Sequence, residues 1–87
     1  MKRIYKYNLS TGQNVLEMPL GGEFLSASFQ GGQLVAWFLV EVDNINSLGD
    51  FYVAITGEHV TNGMVYHSTA MTSDESFVVH IFSGLNI

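Results

Sequence analysis

The chain is 87 residues long and 47% hydrophobic, and it carries eight carboxylates against three lysines and arginines, for a formal net charge of −5. That charge excludes general binding to DNA or RNA, which needs a broad basic surface. It contains no cysteine, which favours a cytoplasmic setting over a secreted, disulfide-stapled domain.

Residues 1–87 make one small domain. A monomer of this size buries only about 60–65% of the surface its unfolded chain exposes, so its core is thin. So much apolar side chain on so thin a core predicts a homo-oligomer, because large exposed apolar patches are rare on soluble monomers. The longest apolar run, Leu34 to Val40, is far short of the roughly 20 residues that span a bilayer, which argues against a membrane protein. The basic start is followed by Asn8, Ser10, Thr11, Gln13 and Asn14, not by the apolar segment of a signal peptide.

The elements read as strands throughout. Residues 2–9 are a first strand and 14–18 a second, closed by Pro19 with Gly21 and Gly22. In the third, 23–30, Leu25, Ala27 and Phe29 face one way and Ser26, Ser28 and Gln30 the other. Gly31-Gly32 is a hairpin turn. Residues 33–42 are apolar on both faces through Val40, as expected of a central or interface strand. Residues 43–50 read as a loop, 51–56 as a strand, 58–63 as a turn region and 64–72 as a strand. Residues 73–76 form a tight connection into a last strand, 77–82, and Ser83 to Ile87 form the tail. No segment has a capped helical period. The predicted fold is all-β, a small antiparallel sandwich or partly closed barrel of about seven short strands.

No catalytic chemistry stands out. No serine lies in G-x-S-x-G, and neither glycine pair is followed by the Gly-Lys-Ser/Thr of a phosphate loop. Asp74-Glu75 sits in a polar turn and reads as solvated rather than as a glycosidase pair. His59, His67 and His80 lack metal-ligand spacing. His67, on a face with Val65 and Met71, and His80, on a face with Val78 and Phe82, read as packed core or interface side chains. Neither enzymatic activity nor a metal or other cofactor is expected.

The binding candidates begin with the first strand. Lys2, Arg3 and Lys6 are all of the chain's lysines and arginines, interleaved with Tyr5 and Tyr7. Arg3, Tyr5 and Tyr7 share one face and Lys2 and Lys6 the other. Guanidinium grips phosphate and tyrosine rings stack on bases, so the set suits a small anionic ligand. Charges on an edge strand also block edge-to-edge aggregation, and that reading stands beside the first. Trp37, the only tryptophan, reads as core or interface packing, with ligand stacking as the alternative. His59, in a loop after Thr56-Gly57, is the histidine best placed for a polar contact, and Thr56 is grouped with it.

Several stretches resemble a family of short tailed-phage proteins. MKRIYKYNL is similar to that family's opening M-K-x-I-x-K-Y-x-L, GGQLVAWFLVEVD to its N-G-Q-L-x-x-W-x-L-V-D segment, and SFVVHIF to its F-V-W-H-V-F ending. Thr56-Gly57 falls at the family's T-G turn, without the proline that often follows. His80 matches the terminal-strand histidine, and Val79 replaces an aromatic. The resemblance implies a phage accessory protein in the host cytoplasm and supplies no activity. Non-catalytic phage proteins of this size include counter-defence sponges of the anti-CBASS kind, which sequester cyclic nucleotide immune signals. A cyclic dinucleotide at a two-fold interface would meet Arg3 or Lys6 at its phosphates and tyrosine or Trp37 rings at its bases. The alternative is a protein-binding module, either an inhibitor of a host enzyme or a virion or assembly accessory.

Overall fold

The computed structural model describes residues 1–84, which form seven strands and no helix. These are β1 (Lys2–Leu9), β2 (Gly12–Pro19), β3 (Glu23–Gln30), β4 (Gln33–Glu41), β5 (Asn46–Ile55), β6 (Val65–Met71) and β7 (Val78–Ser83). A three-stranded sheet, β1-β4-β3, packs on a four-stranded sheet, β2-β5-β7-β6, and every pairing is antiparallel. The sheets do not close into a barrel, so β1, β3, β2 and β6 are edges. Of the tail, Ser83 belongs to β7, while Leu85, Asn86 and Ile87 lie outside the described residues.

The central place of β4 follows from its two apolar faces. Leu34, Ala36, Phe38 and Val40 point inward and belong to the core. Val35, Trp37 and Leu39 alternate with them and face outward. Val35 is nonetheless only 2% exposed. Lys6 Nζ on β1 donates to Gln30 Oε1 on β3 at 3.3 Å, a bond that crosses β4, the strand between them. Gln30 pairs with Gln33, which leaves Gly31-Gly32 as a two-residue turn with φ of +56° and +83°. Glycine adopts two such angles in succession without strain.

Phe38 is fully buried, and its ring meets three others. The centroids of Tyr7, Phe24 and Phe51 lie 5.5, 5.5 and 5.1 Å away in edge-on arrangements. One side chain thus ties β1, β3 and β4 to β5. Tyr7 adds a bond between the sheets, its hydroxyl donating to Glu17 O of β2 at 2.9 Å. At the β1–β2 corner, the buried Asn14 amide donates to Ser10 O and Gly12 O and accepts from Ser10 N. A buried amide so fully satisfied fixes the angle at which the chain passes between sheets.

Three expectations are corrected. The segment 43–50 is not all loop, because β5 starts at Asn46 and pairs with the whole of β2, itself longer than 14–18. The inward positions of 46–50 carry Ser47 and Gly49, so no apolar alternation marks the strand. The space at Gly49 is tight, since a Cβ there would come within 3.1 Å of the Phe51 ring and the ring would have to give by a few tenths of an ångström.

In β3 a bulge between Phe24 and Ser26 leaves Leu25 exposed, and Phe24 joins Ala27 and Phe29 against the core. In β6 a second bulge lies between Tyr66 and Ser68. His67 turns toward Phe24 and Phe51, at 5.0 and 5.9 Å, while Met71 faces outward opposite Val78. One extra residue reverses the phase of every side chain beyond it.

The His67 ring is packed but incompletely satisfied, because its Nε2 is buried without a hydrogen-bond partner. That burial holds the imidazole below its ordinary pKa. Asp74, by contrast, is held at about 2 by the Thr72 and Ser76 hydroxyls and the Ser76 N–H, which organise the β6–β7 turn.

Two predictions follow from this packing. Phe38→Ala should lose about 3–5 kcal/mol in urea denaturation, a large share of the roughly 5–15 kcal/mol available to a small domain. A loss below about 1 kcal/mol, close to the effect of an ordinary surface change, would show that the four rings are not a structural centre.

The second concerns acid. The folded state binds a proton on His67 less readily than the unfolded chain. Its contribution to stability is complete above the ordinary histidine range and is lost as pH falls. The urea midpoint should fall between about pH 7 and about pH 5, and less so in His67→Leu. The Asp74 contribution is lost only at lower pH, as the carboxylate protonates towards its value of about 2. An unchanged midpoint slope in His67→Leu would assign the upper window to another group.

Candidate functional site

The sequence-derived binding residues divide among three places. Lys6 and Trp37 come together. They are direct cross-strand partners in β1 and β4, and both side chains lie on the outer face of the three-stranded sheet. Ile4 lies beside Leu39 on the same face, Lys2 beside Glu41, and Ser26 flanks Trp37 from β3. Ile4 is exposed, and Trp37 and Leu39 are half-buried. The result is a shallow apolar and aromatic strip with Lys2 and Lys6 along the β1 margin, Ser26, Ser28 and Glu23 along the β3 margin, and Glu41 at its end.

Arg3, Tyr5 and Tyr7 occupy the opposite side of β1, which turns toward the second sheet. They do not join Trp37. Tyr7 is occupied by its contact with Phe38 and its bond to Glu17 O, and burial pushes its hydroxyl pKa up. Arg3 and Tyr5 remain exposed. β1 is an edge strand, so the premise of the edge-protection reading is met. Among the described residues, none of the three lysine and arginine side chains forms an ion pair; the only cationic partner of Glu41 and Asp43 is the Met1 ammonium.

Thr56 and His59 lie in the connection between β5 and β6 of the second sheet, far from β1 in the topology. Thr56 Oγ1 lies 2.7 Å from His80 Nε2, and His80 Nδ1 lies 2.9 Å from Thr69 Oγ1. The Thr69 hydroxyl meets the Tyr66 hydroxyl at 2.7 Å. This chain links the turn after β5 to β7 and β6. The distance from hydroxyl to imidazole is that of a nucleophile and its base. The other ring nitrogen meets a hydroxyl rather than the carboxylate of a catalytic triad. The arrangement is a cross-strand polar tie.

His59 lines a half-open groove of about 310 Å³ with Gln13, Asp50, Tyr52, Thr61, Met64 and Gly84. The loop 56–64 is held over the sheet by Glu58, which accepts from Tyr52 Oη at 3.0 Å and from Ile55 N at 2.9 Å. The bond to Glu58 pushes the Tyr52 pKa up. Of the groove residues the sequence pointed only to His59. Asp50 lies in the segment that reads as loop, and Gln13 and Tyr52 meet only through the β2–β5 register. The three histidines do not converge, and no group of three metal-ligating side chains is placed to hold an ion among the described residues.

No curated protein and no solved structure matches the chain. A family model matches residues 1–86, and the chain belongs to the family described as a domain of unknown function, DUF7352.

Proposed function

We propose that this is a non-catalytic binding protein that takes a small phosphorylated aromatic ligand, a cyclic nucleotide in the first instance, on the outer face of the three-stranded sheet. The observation that carries this reading is the pairing of Lys6 with Trp37 on an open face, in a chain whose lysines and arginine have no carboxylate partner among the described residues. An indole offers a base a stacking surface, and an unpaired ammonium beside it offers charge to a phosphate. Lys2 lies on the same face, and Arg3 and Tyr5 remain exposed on the other side of the strand.

A flat sheet face encloses little of a ligand, so a second copy completes the site. On that face exposed Ile4, beside Leu39 and Trp37, supplies apolar surface for self-association, while Leu20, Ile45 and Leu48 are exposed elsewhere on the molecule. In the phage setting that the sequence resemblance implies, such a dimer serves in the host cytoplasm as a sponge for a cyclic nucleotide immune signal. The same exposed apolar residues favour a second reading, a protein-binding inhibitor of a host enzyme or an assembly accessory.

Calorimetry with cyclic di- and mononucleotides, paired with light scattering, tests the proposal. A dimer that binds one of them is expected. Lys6→Ala should weaken binding about 10- to 150-fold, the loss of one charge-assisted hydrogen bond. Trp37→Ala should cost about 1–3 kcal/mol if the ring stacks on a base. Affinity should fall with salt. Absence of binding heat with every nucleotide, or affinity unchanged in both variants, overturns the reading. Aggregation of Lys6→Ala with unchanged affinity assigns β1 to edge protection.

A further inference from the structure

The groove on the outer face of the four-stranded sheet has the opposite electrostatic character. Among the described residues that line it, Asp50 is the one carboxylate, and all three lysine and arginine side chains of the protein lie on β1 in the other sheet. Asp50 Oδ1 accepts from Gln13 Nε2 at 3.1 Å, and Gly84 N donates to the Asp50 backbone carbonyl at 2.7 Å. These bonds fix the residue from two sides and leave Oδ2 without a partner among the described residues. Position 84 keeps that oxygen open, because a Cβ there would lie 2.8 Å from Asp50 Oδ2. Tyr52 supplies an aromatic wall, with its hydroxyl already committed to Glu58. A carboxylate oxygen held open beside an aromatic wall, in a concave space of roughly the smallest size that ligand pockets have, suits a positively charged nitrogen.

We propose that this groove is a binding site for an alkylammonium or guanidinium group, with Asp50 as its counter-ion and Tyr52 as its cation–π surface. A phosphate is disfavoured there for the same reason that a cation is favoured. The groove and the lysine-margined face therefore take ligands of opposite charge, and neither assignment rests on the other. The cationic group can come from a small free amine or from a lysine or arginine side chain of a peptide.

The test is a titration followed by amide NMR of the whole chain, using putrescine, spermidine, a short lysine-containing peptide and the same peptide acetylated on lysine. Butanediol and glucose serve as uncharged controls. The expected result is a saturable shift of the amides of Tyr52, His59, Thr61 and Gly84 with at least one cationic probe and none with the controls. Binding by putrescine or spermidine assigns the site to free amines, and binding by the unmodified peptide alone assigns it to a protein partner.

Asp50→Asn, with a spectrum that shows the fold intact, should weaken binding by at least about tenfold, as loss of a charged partner does. Gly84→Ala provides a second variant, since it crowds the open carboxylate oxygen without removing the charge, and it too should weaken binding. No saturable shift at millimolar probe, equal binding of butanediol or glucose, or undiminished binding in both variants overturns the proposal.

Discussion

The architecture rests on one buried ring. Phe38 lies at the middle of β4, and the edges of three further aromatic rings from β1, β3 and β5 meet it at about the same distance. The thinness of the core explains why so much depends on it. A seven-stranded chain of this length has few inward positions per strand, and several of those are small or polar, such as Ala36, Ala70, Gly49 and Asn14. Large rings must then span the gap between the sheets. Edge-on contact allows four of them to share that gap, because each presents its positive rim to a neighbour's negative face.

The two open sides of the sandwich are managed differently. On the side of β1 and β2, the Tyr7 hydroxyl reaches the Glu17 carbonyl, and the Asn14 amide pins the corner between the strands. On the other side, β3 and β6 each carry a bulge, and the displaced side chains Phe24 and His67 stack at 5.0 Å. The bulges are one device. Each re-aims an aromatic side chain into a gap that regular strands would leave empty, and each bends an edge that would otherwise stay flat and able to pair with another molecule. Placing an imidazole there leaves one ring nitrogen without a partner, which makes this closure the acid-sensitive part of the core.

The parts of this fold that are local in sequence were legible from it. Gly31-Gly32 announces the β3–β4 hairpin, the two-faced apolar run 34–40 announces a central strand, and the polar turn around Asp74 announces the β6–β7 connection. What failed depends on partners distant in the chain. Nothing near Leu25 says that Phe24 will seek Phe38 and His67, so the bulge and the reversed alternation are invisible in the octapeptide alone. Residues 46–50 form a strand because β2 lies beside them, not because their own side chains favour it. The site behaves in the same way. The basic and aromatic character of β1 is written in six residues, but the grouping of Lys6 with Trp37, apart from Arg3 and Tyr5, needs both strand alternation and the β1–β4 register. The groove draws on residues as far apart as Gln13 and Gly84, and spacing could not assemble it.

The register also separates charge through the thickness of the molecule. Sheets in a sandwich lie about 10 Å apart, and side chains on their outer faces stand farther apart still. At physiological ionic strength the screening length is about 8 Å. The Lys2 and Lys6 ammoniums on one outer face therefore exert little influence on Asp50 on the other, and among the described residues no buried ion pair couples them. Each face acts on solution as if the other were absent. A net charge of −5 then describes neither one. Lys2 and Lys6 share one outer face with Glu41 and Glu23, while Asp50 stands beside Tyr52 on the other. Because the chain binds its own positive side chains to none of its side-chain carboxylates, both surfaces remain available to something outside it.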